Sequence, residues 1–231
     1  MKLLRMLKSF INIACILVPF LVFSQEKDSI VYKDSYGLRI GVDLYNPIGT
    51  FIDADRKGFE LVGDYRISKN YYIAAELGTM EKTREEDFLN FTTNGQYIKA
   101  GVDYNAYENW LDMENSIYFG FRYGFSTFKQ TLNSATLNSS PFLPEQPLDT
   151  PLVYDNLNAH WVELIIGMKV ETLNNLYLGF SFSGKKMVTT KEPNNFKNLF
   201  VPGFNRVFLN NSGFGFNYTI SYLIPIYKKK K

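Results

Sequence analysis

The stretch SIYFGFRYGFSTF, residues 116–128, decides the fold. Ile117, Phe119, Phe121, Tyr123 and Phe125 share one parity, while Tyr118, Gly120, Arg122, Gly124 and Ser126 share the other. Side chains on a β-strand alternate between two faces, so this run reads as a strand with one apolar face and one small or polar face. A helix would scatter the same residues around its circumference. The pattern recurs at 36–45, 58–67, 71–80, 96–106, 159–171, 175–184 and 213–227. Most of these runs reach the roughly 9–11 residues that a tilted strand needs to cross a bilayer.

The links between the runs alternate in length. Those at 68–70, around 173–174 and at 107–115 are short, and those at 46–57, 81–95, 129–158 and 185–212 are long. An even number of strands joined this way is the plan of an outer-membrane barrel, with short turns inside and long loops outside. The fold class expected is therefore all-β: an eight-stranded antiparallel up-and-down transmembrane β-barrel. A soluble lipocalin-type barrel has the same strand number but turns its apolar face inward onto a ligand. Two features favour the membrane arrangement. Glycines cluster on the polar face (Gly41, Gly78, Gly101, Gly120, Gly124, Gly167, Gly179 and Gly215), as a narrow interior requires. Tyr36, Tyr65, Tyr71, Tyr104, Tyr107, Tyr222 and Tyr227 fall at the strand ends near the short turns, where an aromatic girdle would sit.

Ahead of the strands, Lys2, Arg5 and Lys8 precede an apolar run from position 10 to 23 that is interrupted only by Asn12. That is the plan of a secretory signal peptide, residues 1–24, cleaved after Ser24. A periplasmic segment, 25–35, then leads into a barrel domain, 36–231. The single Cys of the 231 residues, Cys15, lies in the leader, so the exported chain carries no thiol chemistry. The whole chain has a formal charge of +2, which gives nucleic-acid binding no footing.

The inferred interior carries Asp43, Glu60, Asp64, Glu76, Asp103, Glu163 and Glu171 with Arg39, Arg66, Lys99, Arg122 and Lys169. Buried charges must pair, so these near-balanced sets are expected to form a salt-bridged network that closes the lumen; a narrow channel is the alternative. The lone histidine, His160, shares the parity of Val162 and Leu164, away from Ser126 and Glu163, the nucleophile and the acid that a lipid-modifying enzyme would pair with it. No enzyme, cofactor or metal site is expected. In the loops, residues 81–87 are charged and 141–151 hold four prolines; Phe196, Phe200, Phe204 and Arg206 are candidates for binding an extracellular protein or glycan, or for folding over the barrel mouth. Lys228 to Lys231 form a basic tail on the periplasmic side.

The segments GFELVGDYRIS (58–68), YIAAELG (72–78), GVDYNAYENW (101–110), RYGFST (122–127), VPGFNR (201–206) and NYTISYLIP (217–225) resemble an uncharacterised, domain-of-unknown-function family of small Gram-negative outer-membrane barrels. The architecture is also loosely similar to OmpA- and OmpX-type barrels. The resemblance implies a place in the cell outer membrane, with outer-membrane lipid and the barrel-insertion machinery as partners. It implies a structural or interaction role, in envelope integrity, adhesion or surface binding, rather than catalysis. One departure stands out: barrels of that kind end on an aromatic residue, whereas here Tyr227 is followed by four lysines.

Overall fold

The structure is a computed structural model that describes residues 33–52, 55–86, 88–109, 113–137, 146–193 and 197–230. The leader, Asp87, Trp110, residues 141–145 of the proline-rich stretch and Phe196 lie outside the described residues. Eight strands form the ring: β1 (Lys33–Asp43), β2 (Arg56–Arg66), β3 (Tyr71–Glu86), β4 (Leu89–Asn105), β5 (Ser116–Leu137), β6 (Leu152–Leu173), β7 (Leu176–Thr190) and β8 (Ser212–Lys230). Each pairs antiparallel with its sequence neighbours, and β1 pairs with β8 to close the sheet. Closure leaves no edge within the ring.

The registers fix the tilt. From Leu38 the partners run Tyr65, Ile73, Val102, Phe121, Leu164, Gly184 and Phe214. Phe214 lies five residues before Thr219, the partner of Asp43, so the path regains the line of β1 ten residues beyond Leu38. A stagger of that size tilts eight strands by about 40°.

The chemistry of the two faces follows the alternation. Tyr118, Gly120, Arg122, Gly124 and Ser126 are buried, while Ile117, Phe119, Phe121 and Tyr123 point outward, with Phe119 52% and Leu164 70% exposed. The apolar face is therefore outside, which removes the reading of a carrier with an apolar lumen. On β5 the outward apolar set runs eight residue steps, from Ile117 to Phe125. At roughly 3.4 Å per residue and this tilt it spans about 20 Å, near the apolar band of a membrane barrel.

Beyond that band the polarity inverts while the parity continues. Outward positions become Thr79, Gln96, Thr127 and Lys186, and inward ones become Met80, Phe91, Phe128, Leu132, Leu157 and Met187. The strands run on past the band, so the expected long link at 81–95 is a hairpin turning around Phe88, and β5 and β6 extend to Leu137 and from Leu152. The link at 46–57 holds a helix, α1 (Tyr45–Ile52), whose first turn is capped by Asp43: its Oδ2 accepts from the Asn46 N–H at 3.2 Å and its Oδ1 from the Tyr45 N–H at 3.3 Å.

At the opposite end the turns are tight. Asn175 takes a left-handed conformation (φ 63°) in the β6–β7 hairpin, which Asn tolerates well. Five of the seven expected girdle tyrosines, Tyr65, Tyr71, Tyr104, Tyr107 and Tyr222, lie on the outer side. Tyr36 and Tyr227 do not: past the bulge at Tyr36/Gly37 they pair directly, with Tyr36 turned in and its ring stacked on Tyr227 with centroids 5.1 Å apart. The basic end is not a free tail either, because Lys228, Lys229 and Lys230 pair with Ser35, Asp34 and Lys33 as a two-stranded ribbon below the ring.

Candidate functional site: the lumen and its long-loop mouth

The alternation brings charges from six strands into one chain across the lumen. Arg39 on β1 meets Asp64 on β2 at 3.3 Å; Asp64 receives Lys169 of β6 at 2.6 Å from across the barrel. Lys169 also lies 4.0 Å from Asp103, and Asp103 holds Arg122 in a two-pronged contact at 2.7 and 3.0 Å. Arg122 Nε continues to Glu76 at 3.2 Å, Glu76 to Lys99, and Lys99 to Glu60 at 3.2 Å. Tyr97 Oη and Asn217 Nδ2 donate to the two Glu60 oxygens at 2.5 and 2.6 Å. Two pairs stand apart from this chain. Arg66 bonds Asp34 at 3.1 Å near the short turns, and Glu163 sits 3.4 Å from Lys185 and accepts from Trp161 Nε1 at 2.6 Å.

Two residues expected in the network do other work. Asp43 has no cation partner among the described residues; besides capping α1, its Oδ1 accepts from the Tyr218 N–H at 3.0 Å. Glu171 accepts the Asn175 N–H at 2.9 Å and so holds the β6–β7 turn. Conversely, Lys185 and Asp34 join the lumen although neither was expected there. Lys185 follows the parity of Tyr177, Gly179, Ser181 and Ser183, so extending the β7 alternation by one residue past Gly184 finds it. Asp34 lies before the β1 bulge, which breaks the parity that would have revealed it.

The space left among these side chains is small. A cavity of about 40 Å³ lies between Arg39, Glu76, Arg122 and Lys169, below the size of any metabolite site. Above Glu60 the lumen is filled by the β7–β8 loop. Val201-Pro202-Gly203-Phe204 forms a turn with the Phe204 N–H on the Val201 carbonyl at 3.1 Å. Pro at the second position and a left-handed Gly203 (φ 79°) at the third are what a type II turn demands. A side chain at 203 would also meet the Tyr97 ring at 2.6 Å. Lys185 Nζ donates to the Gly203 carbonyl at 2.6 Å and so ties the turn to the charged lumen below.

The same turn buries two of the loop residues expected to bind a partner. Phe204 is wholly buried, edge-on to Trp161 with centroids 5.9 Å apart, and Phe200 is buried in the same apolar cluster as Phe91 and Leu132, the core of the mouth. Both are plug residues, because the inward apolar positions above the band leave a socket that only an inserted loop can fill. Arg206 is exposed, its guanidinium 5.5 Å over the Phe208 ring. His160 faces outward, with Nδ1 2.9 Å from Tyr123 Oη and its ring against Phe125, while Ser126 and Glu163 face the lumen. The barrel wall separates the three. Among the described residues there is no group of three His, Cys, Asp or Glu placed to hold a metal.

Comparison with known proteins gives two kinds of result. The crystal structure of Ail, the attachment invasion locus protein of Yersinia pestis, is similar in fold at 11% identity and a TM-score of 0.40, covering 84% of this chain and 99% of that one. The structure of Ail in complex with the heparin analogue sucrose octasulfate gives 12% identity and a TM-score of 0.40, covering 82% and 97%. No curated protein matches by sequence. The profile of a domain of unknown function, DUF6048, matches residues 6–229. The chain therefore belongs to the DUF6048 family, here an eight-stranded barrel with a charged lumen and a plugged mouth.

Proposed function

We propose that the protein is a small outer-membrane barrel that anchors a surface for interaction, in adhesion, surface binding or envelope integrity, and that neither conducts nor catalyses. The inversion of polarity along unbroken strands carries this reading: apolar-out within the band, polar-out and apolar-in beyond it. A strand wet along its whole length has no reason to invert, whereas one that leaves lipid for water must. The long-loop end then faces outward and the paired termini face the periplasm. Residues 1–24 serve as the export signal, 25–35 as a periplasmic lead-in, and the barrel-insertion machinery as the assembly partner.

The paired lumen and the Gly203 turn argue against a channel, and the placement of His160 argues against lipid-modifying chemistry. Envelope fractionation tests the proposal, with the outer-membrane fraction run on a gel unheated and boiled. A band that shifts on boiling supports it. A soluble periplasmic protein that does not shift overturns it.

A further inference from the structure

At the long-loop mouth, between the tip of β3 and the β7–β8 loop, lies a cleft of about 380 Å³, within the range of small-molecule sites. Asn198, 96% buried, is among the residues that line it. Its Nδ2 donates to Thr190 Oγ1 at 2.8 Å and to the Lys191 carbonyl at 2.9 Å. A carbonyl only accepts, so the orientation of the amide is fixed and Oδ1 is committed as an acceptor. That oxygen has no donor among the described residues. A buried acceptor without a partner is costly and marks a place where a donor belongs.

The rim limits what that donor is. Glu192 supplies a second acceptor, Lys197 and Arg206 supply donors, and Phe208, 41% exposed, supplies apolar surface. On the facing wall Arg84 and Glu86 pair with each other at 2.8 Å. Both signs of charge line the cleft, so a polyanion and a polycation would each meet repulsion. A sulfate or fully ionised phosphate ester brings acceptors only and leaves Asn198 Oδ1 unmatched. Hydroxyl groups both donate and accept, and a sugar ring adds an apolar face for an aromatic side chain. We infer that this cleft binds a neutral, hydroxyl-rich saccharide unit, with Asn198 Oδ1 accepting a hydroxyl proton. The inference rests on the outer-membrane reading, which places this end of the barrel outside the cell.

The test uses the full-length protein purified in detergent micelles on a printed array of neutral, sialylated and sulfated glycans. Its barrel fold is checked on the same preparation by the shift on boiling. Binding to neutral glycans above the charged ones is expected, with at least a ten-fold loss in Asn198→Leu. Asn198 also holds its loop, so the exposed Glu192→Ala and Phe208→Ala provide independent variants, each expected to weaken the same spots several-fold. A blank array from a preparation that shifts on boiling overturns the saccharide site, as does binding unchanged in Glu192→Ala and Phe208→Ala. A preparation that never shifts sinks the outer-membrane reading instead.

Discussion

Lys185 is the link between the charged lumen and the plug, and replacing it by Met tests both. Its side chain is 2% exposed and that of Glu163 1%, and the ammonium lies 3.4 Å from the carboxylate and 2.6 Å from the Gly203 carbonyl. Lys185→Met keeps the length and removes the charge. Glu163 is then left buried with the Trp161 N–H as its one remaining hydrogen-bond donor among the described residues, and the Gly203 carbonyl loses its bond to Lys185. Breaking a buried pair from one side costs about 3–5 kcal/mol, most of it the penalty of the stranded charge. The assay is urea unfolding of the protein refolded in lipid vesicles, followed by the gel shift. At an m-value of about 2 kcal/mol/M the midpoint should fall by about 2 M. Adding Glu163→Gln removes the stranded charge yet keeps an acceptor for Trp161, so the double variant should return to within about 1 kcal/mol of the parent. A single variant within about 1 kcal/mol of the parent, or a double variant no better than the single, would refute this assignment of the pair.

Four further outcomes follow from the same geometry. Gly203→Val forces a branched side chain into a left-handed residue and against Tyr97, so it should dislodge the plug; limited proteolysis within 191–211 should speed up while the barrel stays intact. Leu164→Arg, in the apolar band, should cost about 2–4 kcal/mol in vesicles, whereas Asn133→Arg, above the band and exposed, should stay within about 0.5 kcal/mol. The wild-type protein should give no discrete conductance in planar bilayers, and His160→Ala should leave the lipid A and phospholipid profiles unchanged.

Much of the ring was legible because period-2 contrast is strongest where one face meets lipid. In β5 the alternation of Phe and Tyr with Gly and Arg gives the strand, its parity and its inward set at once. The same signal fails where the contrast reverses. Past Thr127 the apolar residues Phe128 and Leu132 are inward, so the run no longer looks like the one before it, and the extended hairpins read as loops. The helix α1 was hidden by Pro47 and Gly49, poor helix residues that are admitted because the helix is short and capped by Asp43. At the mouth, residue type singled out Phe200 and Phe204 as candidates for binding, but only the depth of the socket tells an inserted plug from an exposed binding loop. Asn198 carried no sequence signal, since its importance lies in one oxygen left without a donor.

The central claim is that the belt from Ile117 to Phe125, and its neighbours around the ring, touches lipid. Placing single tryptophans at Leu164 and at Asn133, in a background with Trp110 and Trp161 replaced by Phe, allows quenching by lipids brominated along the acyl chain. Strong quenching at 164 with little at 133 is the result expected of strands that leave the bilayer where their polarity inverts. Equal, weak quenching at both positions, in protein whose fold is intact, would contradict it.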